Sequence, residues 1–154
     1  MIEESAQKAR GAFFTPPEIS QFLVNWAIRS STDRVLEPSC GDAAFLIPAA
    51  GRLNELGAKQ AGSQLHGIDI HPPSVMAAES LLKGLGLAAT VEAGDFFDQM
   101  PQPNFDAVVG NPPFVRYQDF SGAARTKSLR AALSHGVRLF QYVILLNLVT
   151  ALTA

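Results

Sequence analysis

Asn111-Pro-Pro-Phe114 follows directly on the apolar run Phe105-Asp-Ala-Val-Val-Gly110, placing a side-chain amide, a proline carbonyl and an aromatic ring within four residues. The run reads as a buried-type strand, so the tetrapeptide stands at a strand's C-terminal end, where open α/β sheets bind ligands. These groups suit a flat substrate carrying an exocyclic amine. Such an amine is a weak nucleophile because its lone pair is delocalised into the ring. Two acceptors aimed at its two N–H groups favour a pyramidal nitrogen with a localised lone pair, and the Asn111 side-chain oxygen and the Pro112 carbonyl supply them. Pro112 and Pro113 bring no competing N–H, and their fixed φ stiffens the loop. Pro112 also biases Asn111 toward extended backbone. Phe114 can stack on a ring taken out of a duplex. The same four residues also suit an ordinary proline-rich turn begun by asparagine.

Three other strand ends carry groups of comparable interest. Glu37-Pro38-Ser39-Cys40-Gly41-Asp42 offers backbone N–H groups, a glycine bend and two carboxylates that can accept from an ammonium. It lacks the Gly-x-Gly-x-x-Gly spacing, which disfavours pyrophosphate binding. Asp69, before Ile70 and about 30 residues beyond Glu37, stands where an acidic residue of a Rossmann-type unit binds ribose hydroxyls, or where an aspartate caps the next helix. Asp95 can accept from an amino group with Phe96 beside the ring, or serve as a turn aspartate next to a core phenylalanine. His66 and His71 are not spaced with other metal ligands, so no metal is expected. Ser39 and Cys40 have no paired histidine that would make either a nucleophile.

The intervening elements alternate. Thr15 as N-cap, Pro16 in the first helical position and Glu18 as capping-box partner predict a helix over about 15–29, with Ile19, Phe22, Leu23 and Trp26 at helical spacing. Strands are expected at 34–37, 65–70, 89–92 and 107–110. A helix carrying Phe45, Leu46, Ala49, Leu53 and Leu56 runs toward Gly57, with Pro48 either kinking it or lying in a late first turn. Another, from about Ser74, turns Val75, Ala78, Leu81, Leu82 and Leu85 inward and stops at Gly86. Strands alternating with helices imply a parallel, doubly wound α/β sheet. A last helix is expected in 137–154; no strand follows it, so the sequence reads as the front part of a larger α/β domain, one partial domain over 1–154.

The 154 residues suit one domain, and 47% hydrophobic content supplies a core. A net charge of −2 gives no global signature of nucleic-acid binding. Between Arg116 and Arg138, however, Arg116, Arg125, Lys127, Arg130 and Arg138 face only Asp119, a local excess that suits phosphates or a solvated loop equally. One cysteine allows no intrachain disulfide and suits a reducing cytoplasm. The acidic, polar start is unlike a signal peptide, and polar residues interrupt the apolar close, so no membrane span is expected.

Taken together, the chain resembles the gamma class of amino-group DNA methyltransferases, especially adenine-specific enzymes of restriction–modification systems. Gly11-Ala-Phe-Phe-Thr-Pro-Pro-Glu18 resembles their leading motif X, and 35–46 resembles motif I. Gly67-Ile-Asp-Ile70 is similar to motif II, Gly94-Asp-Phe-Phe97 to motif III and Val108–Phe114 to the catalytic motif IV. The resemblance spans about residues 11–146 in the order that defines this class. It implies a Rossmann-like class I S-adenosylmethionine-dependent fold, incomplete, with only the first four strands and no target-recognition domain. It implies that Thr15 borders the methionine part of S-adenosylmethionine and that Glu37, with 38–41, lies near its amino group. Asp69 would hold the ribose, Asp95 and Phe96 the cofactor adenine, and Asn111, Pro112, Pro113 and Phe114 an adenine flipped out of double-stranded DNA. His71, where the class often has an acid, and Pro48 depart from the pattern. A separate target-recognition subunit is the partner this implies. The competing expectations are an amino-group methyltransferase acting on ribosomal RNA or release-factor glutamine, and a truncated, non-catalytic subunit that keeps cofactor affinity.

Overall fold

The computed structural model describes residues 15–98 and 105–111, together with Gly122, Arg125, Thr126, Lys127 and Arg130. The chain divides into a unit of Thr15–Asn111 and a second unit of Met1–Phe14 with Pro112–Ala154. The five described residues of the second unit are helical, and the Thr126 hydroxyl donates to the Gly122 carbonyl at 3.1 Å. The expected last helix, and Pro112, Pro113 and Phe114, lie outside the described residues.

In the first unit, α1 (Pro17–Ala27), β1 (Val35–Glu37), α2 (Leu46–Glu55), β2 (Leu65–Asp69), α3 (Pro72–Gly84), β3 (Thr90–Ala93) and β4 (Ala107–Val108) follow one another, with a short 3-10 turn at Ala61–Gln64 that the sequence did not announce. The strands are parallel in the order β3-β2-β1-β4. The chain therefore builds outward from β1 to β3 and then returns to the other side of β1 for β4. The reversal lies between β1 and β4, and the crevice outside the carboxyl ends of these strands is where such sheets bind ligands.

Burial follows strand position. All three residues of central β1 are buried, whereas edge strand β3 buries only Val91. Val35, Leu65, Val91 and Ala107 meet Val24 and Ile28 from α1 and its end, Leu46, Ala49, Ala50 and Leu53 from α2, and Val75, Ala78 and Leu82 from α3 in one core. Each fully buried leucine contributes about 1.5–3 kcal/mol relative to exposure. The described helices thus cover the sheet face that bears Val35, Leu65 and Val91.

Both inner helices stop at the expected glycines. Gly57 (φ 97°) and Gly86 (φ 72°) take left-handed backbone, and the N–H groups of Ala58 and Leu87 return to the Leu53 and Leu82 carbonyls, each at 2.9 Å. Pro48 falls in the first turn of α2, where its missing N–H costs nothing. At the sheet's amino-terminal edge, the Asp106 side chain accepts from the Arg34 N–H at 2.8 Å, and Asp106 N–H donates to the Arg34 carbonyl at 2.9 Å. Val109 N–H donates to Leu36 at 2.9 Å and carries the β4–β1 pairing on toward Asn111.

Three expectations are corrected. The helix begins one residue later than expected: Pro16 is the N-cap without a side-chain cap, and Pro17 takes the first turn. Thr15 does not cap it, because its hydroxyl has another partner. The buried face of α1 is Ser20 and Val24, leaving Phe22 67% and Trp26 70% exposed along with Ile19 and Leu23. Leu81 in α3 and Leu85 just after it are exposed, since Val75, Ala78 and Leu82 already fill the inward stripe.

Candidate active site

Glu37 closes β1, and its side chain turns under the following loop. It is 1% exposed, and its Oε2 accepts from the Leu46 N–H at 3.0 Å, capping a helix whose own N-cap, Phe45, has no side-chain acceptor. Burial pushes the Glu37 carboxyl well above the ordinary glutamate value of 4.5. The Leu46 and Phe45 N–H groups oppose that shift, and the neighbouring Asp42 and Asp69 carboxylates reinforce it. No described lysine or arginine forms an ion pair with it.

The loop after Glu37 is held by β2. Cys40 N–H donates to the Ile68 carbonyl at 2.9 Å, and Gly41 N–H donates to Asp69 Oδ2 at 2.8 Å. Gly41 (φ 49°) and Ala43 (φ 64°) are both left-handed, and an alanine there carries strain that a glycine would not. The loop lies so close to β2 that a Cβ on Gly67 would sit 3.0 Å from both Cys40 Sγ and Leu46 Cδ1. Burial first, then the negative charge of Glu37 and Asp69, pushes the Cys40 thiol up to about 12. It is therefore a packing group and no nucleophile at neutral pH.

Asp69, 9% exposed, joins three strand-end loops. Its Oδ2 holds Gly41, its Oδ1 accepts from His71 N–H at 2.9 Å, and its carbonyl accepts from Gly94 N–H at 2.9 Å. The helix-capping alternative is not what the structure shows, since His71 is the N-cap of α3. Each carboxylate oxygen keeps further acceptor capacity. Ile70 beside it is 60% exposed, an uncovered apolar side chain at a strand end. Asp95 Oδ1 accepts from Phe97 N–H at 3.0 Å, so it shapes the turn, while Phe96 is buried and meets Phe97 edge-on at 5.6 Å.

Beyond β4, Gly110 lies against Pro38 and Glu37. Asn111 then reaches across the unit, its Nδ2 donating to Thr15 Oγ1 at 3.2 Å. Of the expected site residues, the structure links Thr15 with Asn111, and Gly41 with Asp69, and sets Glu37 among the charges of Asp42 and Asp69. Sequence reasoning missed the Thr15–Asn111 bond, the left-handed Ala43 and the role of Gly67; only the last left a signal, a glycine inside a strand. Among the described residues, no group of three His, Cys, Asp or Glu side chains could hold a metal, and no helix is long and apolar enough to cross a membrane.

Among the described residues no lysine or arginine pairs with Glu37, Asp42 or Asp69, so this strand end can take a positively charged group, and Asp69 can also accept from hydroxyls.

Comparison with known proteins places the chain in a family. The family model described as N-6 DNA Methylase matches residues 1–142. The chain is 32% identical over 139 residues to the Type II methyltransferase M.XhoI of Xanthomonas vasicola, covering 71% of this chain and 25% of that protein. It is 31% identical to the Type II methyltransferase M.PaeR7I of Pseudomonas aeruginosa, covering 75% and 25%. In fold it is similar to a modification subunit of a putative type I restriction enzyme from Vibrio vulnificus YJ016, with TM-score 0.56, 21% identity and 73% of this chain covered against 27% of that one. The chain spans about a quarter of the length of these relatives.

Proposed function

The chain belongs to the N-6 DNA methylase family, and we propose that its Thr15–Asn111 unit binds S-adenosylmethionine and directs methyl transfer to the exocyclic N6 amine of an adenine in DNA. The observation that carries this reading is the convergence of Glu37, Asp69 and Asn111 at the carboxyl ends of β1, β2 and β4, around the point where strand order reverses.

When bound, S-adenosylmethionine supplies an electrophilic methyl group on a positively charged sulfur. In this reading Asp69 holds the ribose hydroxyls, Glu37 lies near the cofactor's amino group, whose positive charge would favour its ionised form, and Asp95 with Phe96 borders the cofactor's adenine. Thr15 and the 38–41 backbone, Pro38, Ser39, Cys40 and Gly41, complete the rim, with Ile70 against the nucleoside. The Asn111 side-chain oxygen accepts from the target amine, with the Pro112 carbonyl as second acceptor and Pro113 and Phe114 shaping and covering the adenine. The bound cofactor would give up its methyl group to this amine and leave as the neutral thioether S-adenosylhomocysteine, and the extra N6 proton would pass to solvent. Positioning and electrostatics carry such a reaction, and it needs no strong base or covalent enzyme intermediate.

The relatives named as Type II methyltransferases, and the neighbour named as a type I restriction enzyme's modification subunit, support placing the chain in a restriction–modification system; this reading further takes it to act in the cytoplasm on double-stranded DNA with the target adenine flipped out. A separate target-recognition subunit is the partner this reading implies. The catalytic unit continues, in this reading, through the whole of 1–154.

Thermal unfolding tests the cofactor assignment. S-adenosylmethionine at a hundredfold excess over its Kd should stabilise the chain by about 2.7 kcal/mol, raising Tm by roughly 5–10 °C. Asp69→Ala should abolish that shift. Asp69→Asn, which keeps an acceptor for one of the two loop N–H groups, controls for loss of the loop contacts. A folded wild-type chain that shows no shift refutes the assignment.

A further inference from the structure

We propose that Thr15 is a positioning residue that fixes the orientation of the Asn111 carboxamide, so that its oxygen rather than its amino group meets the substrate amine. The inference rests on the reading of Asn111 as an amine clamp.

An asparagine side chain presents an acceptor at one end and two donors at the other. Only one orientation serves the chemistry proposed above, since the opposite one would set an NH₂ group against an NH₂ group. The structure shows Asn111 Nδ2 donating to Thr15 Oγ1 at 3.2 Å, and no described residue donates to Asn111 Oδ1. The amino end is thereby engaged, and among the described residues the acceptor end is unclaimed.

Thr15 is well suited to act as a fixed post. It stands next to Pro16 (φ −54°, ψ 137°) and Pro17, which lead into α1, and α1 is anchored in the core by Val24 and Ile28. Thr15 and Asn111 each immediately precede a proline, so each backbone is already biased toward extended conformations. Little conformational freedom remains to be lost when they meet, although 96 residues separate them. The threonine that begins the Thr15-Pro16-Pro17 run thus has a task in the half of the site that holds substrate, besides any contact with the cofactor.

The test reads the Asn111 side-chain amide directly by ¹⁵N–¹H NMR on this chain, with the resonance pair assigned by its loss in Asn111→Asp. Thr15→Val keeps the shape and removes the acceptor; it should move the pair to the shifts of a solvated amide and speed its hydrogen exchange. Thr15→Ser keeps a hydroxyl and should restore the wild-type pair, which a merely structural role for the threonine methyl would not allow. Methyl transfer should fall roughly tenfold in kcat in Thr15→Val and recover in Thr15→Ser. Unchanged amide resonances in folded Thr15→Val overturn the proposal, as does a shifted pair with unchanged kcat. A wild-type chain that shows the engaged amide and its loss in Thr15→Val, but methylates no adenine, retains the positioning contact and overturns the functional reading instead.

Discussion

Asn111→Ala is expected to lower single-turnover methyl transfer to adenine in DNA by about 10²–10³-fold, the cost of removing one preorganised acceptor or donor from a transition state. The substrate nitrogen gains positive charge as it attacks, so an acceptor on its N–H is worth more in the transition state than in the ground state. The loss should therefore appear in kcat. Cofactor affinity, measured by the same Tm shift as in the wild type, should stay within about twofold, because the residues proposed to hold the cofactor lie mainly after β1, β2 and β3 rather than after β4. Asn111→Asp keeps an acceptor at the same place and should retain part of the rate. Transfer at the wild-type rate by Asn111→Ala, in a preparation where the wild-type chain is active, removes Asn111 from the mechanism.

The second large effect concerns pH. Glu37 is buried under the loop, and burial holds its carboxyl well above the usual carboxylate range. Where the unfolded chain has already lost this proton the folded chain still keeps it, so the unfolded state binds fewer protons and stability falls as pH rises. The contribution is fully present below the unfolded glutamate value of 4.5 and is lost as pH climbs through the raised folded value. Denaturant unfolding from about pH 5 upward should show a decline of up to about 1.4 kcal/mol per pH unit until Glu37 ionises in the folded state. Glu37→Gln cannot ionise yet can still accept from Leu46 N–H, so the difference between the two proteins isolates the effect. Equal slopes would show that Glu37 is charged throughout, and its burial would then have to be reconsidered.

Much of this arrangement was legible in the sequence because it depends on local chemistry. Gly57 and Gly86 announce left-handed helix ends, and four short apolar runs alternating with helices announce a parallel sheet. Asp69 and Asn111 were found by their place after strands. What remained hidden is non-local or degenerate. α1 carries two apolar stripes, one through Ile19, Phe22, Leu23 and Trp26 and the other through Val24 and Ile28. Periodicity cannot tell which of them faces the core, and the larger side chains proved to be the exposed ones. Thr15 looked like an N-cap because the sequence shows only its near neighbours, whereas its partner is Asn111. Nothing in an alanine announces the left-handed backbone of Ala43, which is imposed by a loop pinned to Ile68 and Asp69 on one side and to Glu37 on the other.

Cys40 turns that pinned loop into a clock. It is the chain's single cysteine, it is buried against β2 with its thiol pushed up to about 12, and its own N–H and that of Gly41 are the loop's ties to β2. A thiol reagent can reach it only when those ties let go, so the labelling rate of the native chain counts openings of the loop and of little else. If S-adenosylmethionine binds only the closed loop, a hundredfold excess over its Kd should slow labelling about a hundredfold. The thiol would then report occupancy of the site by the time it waits.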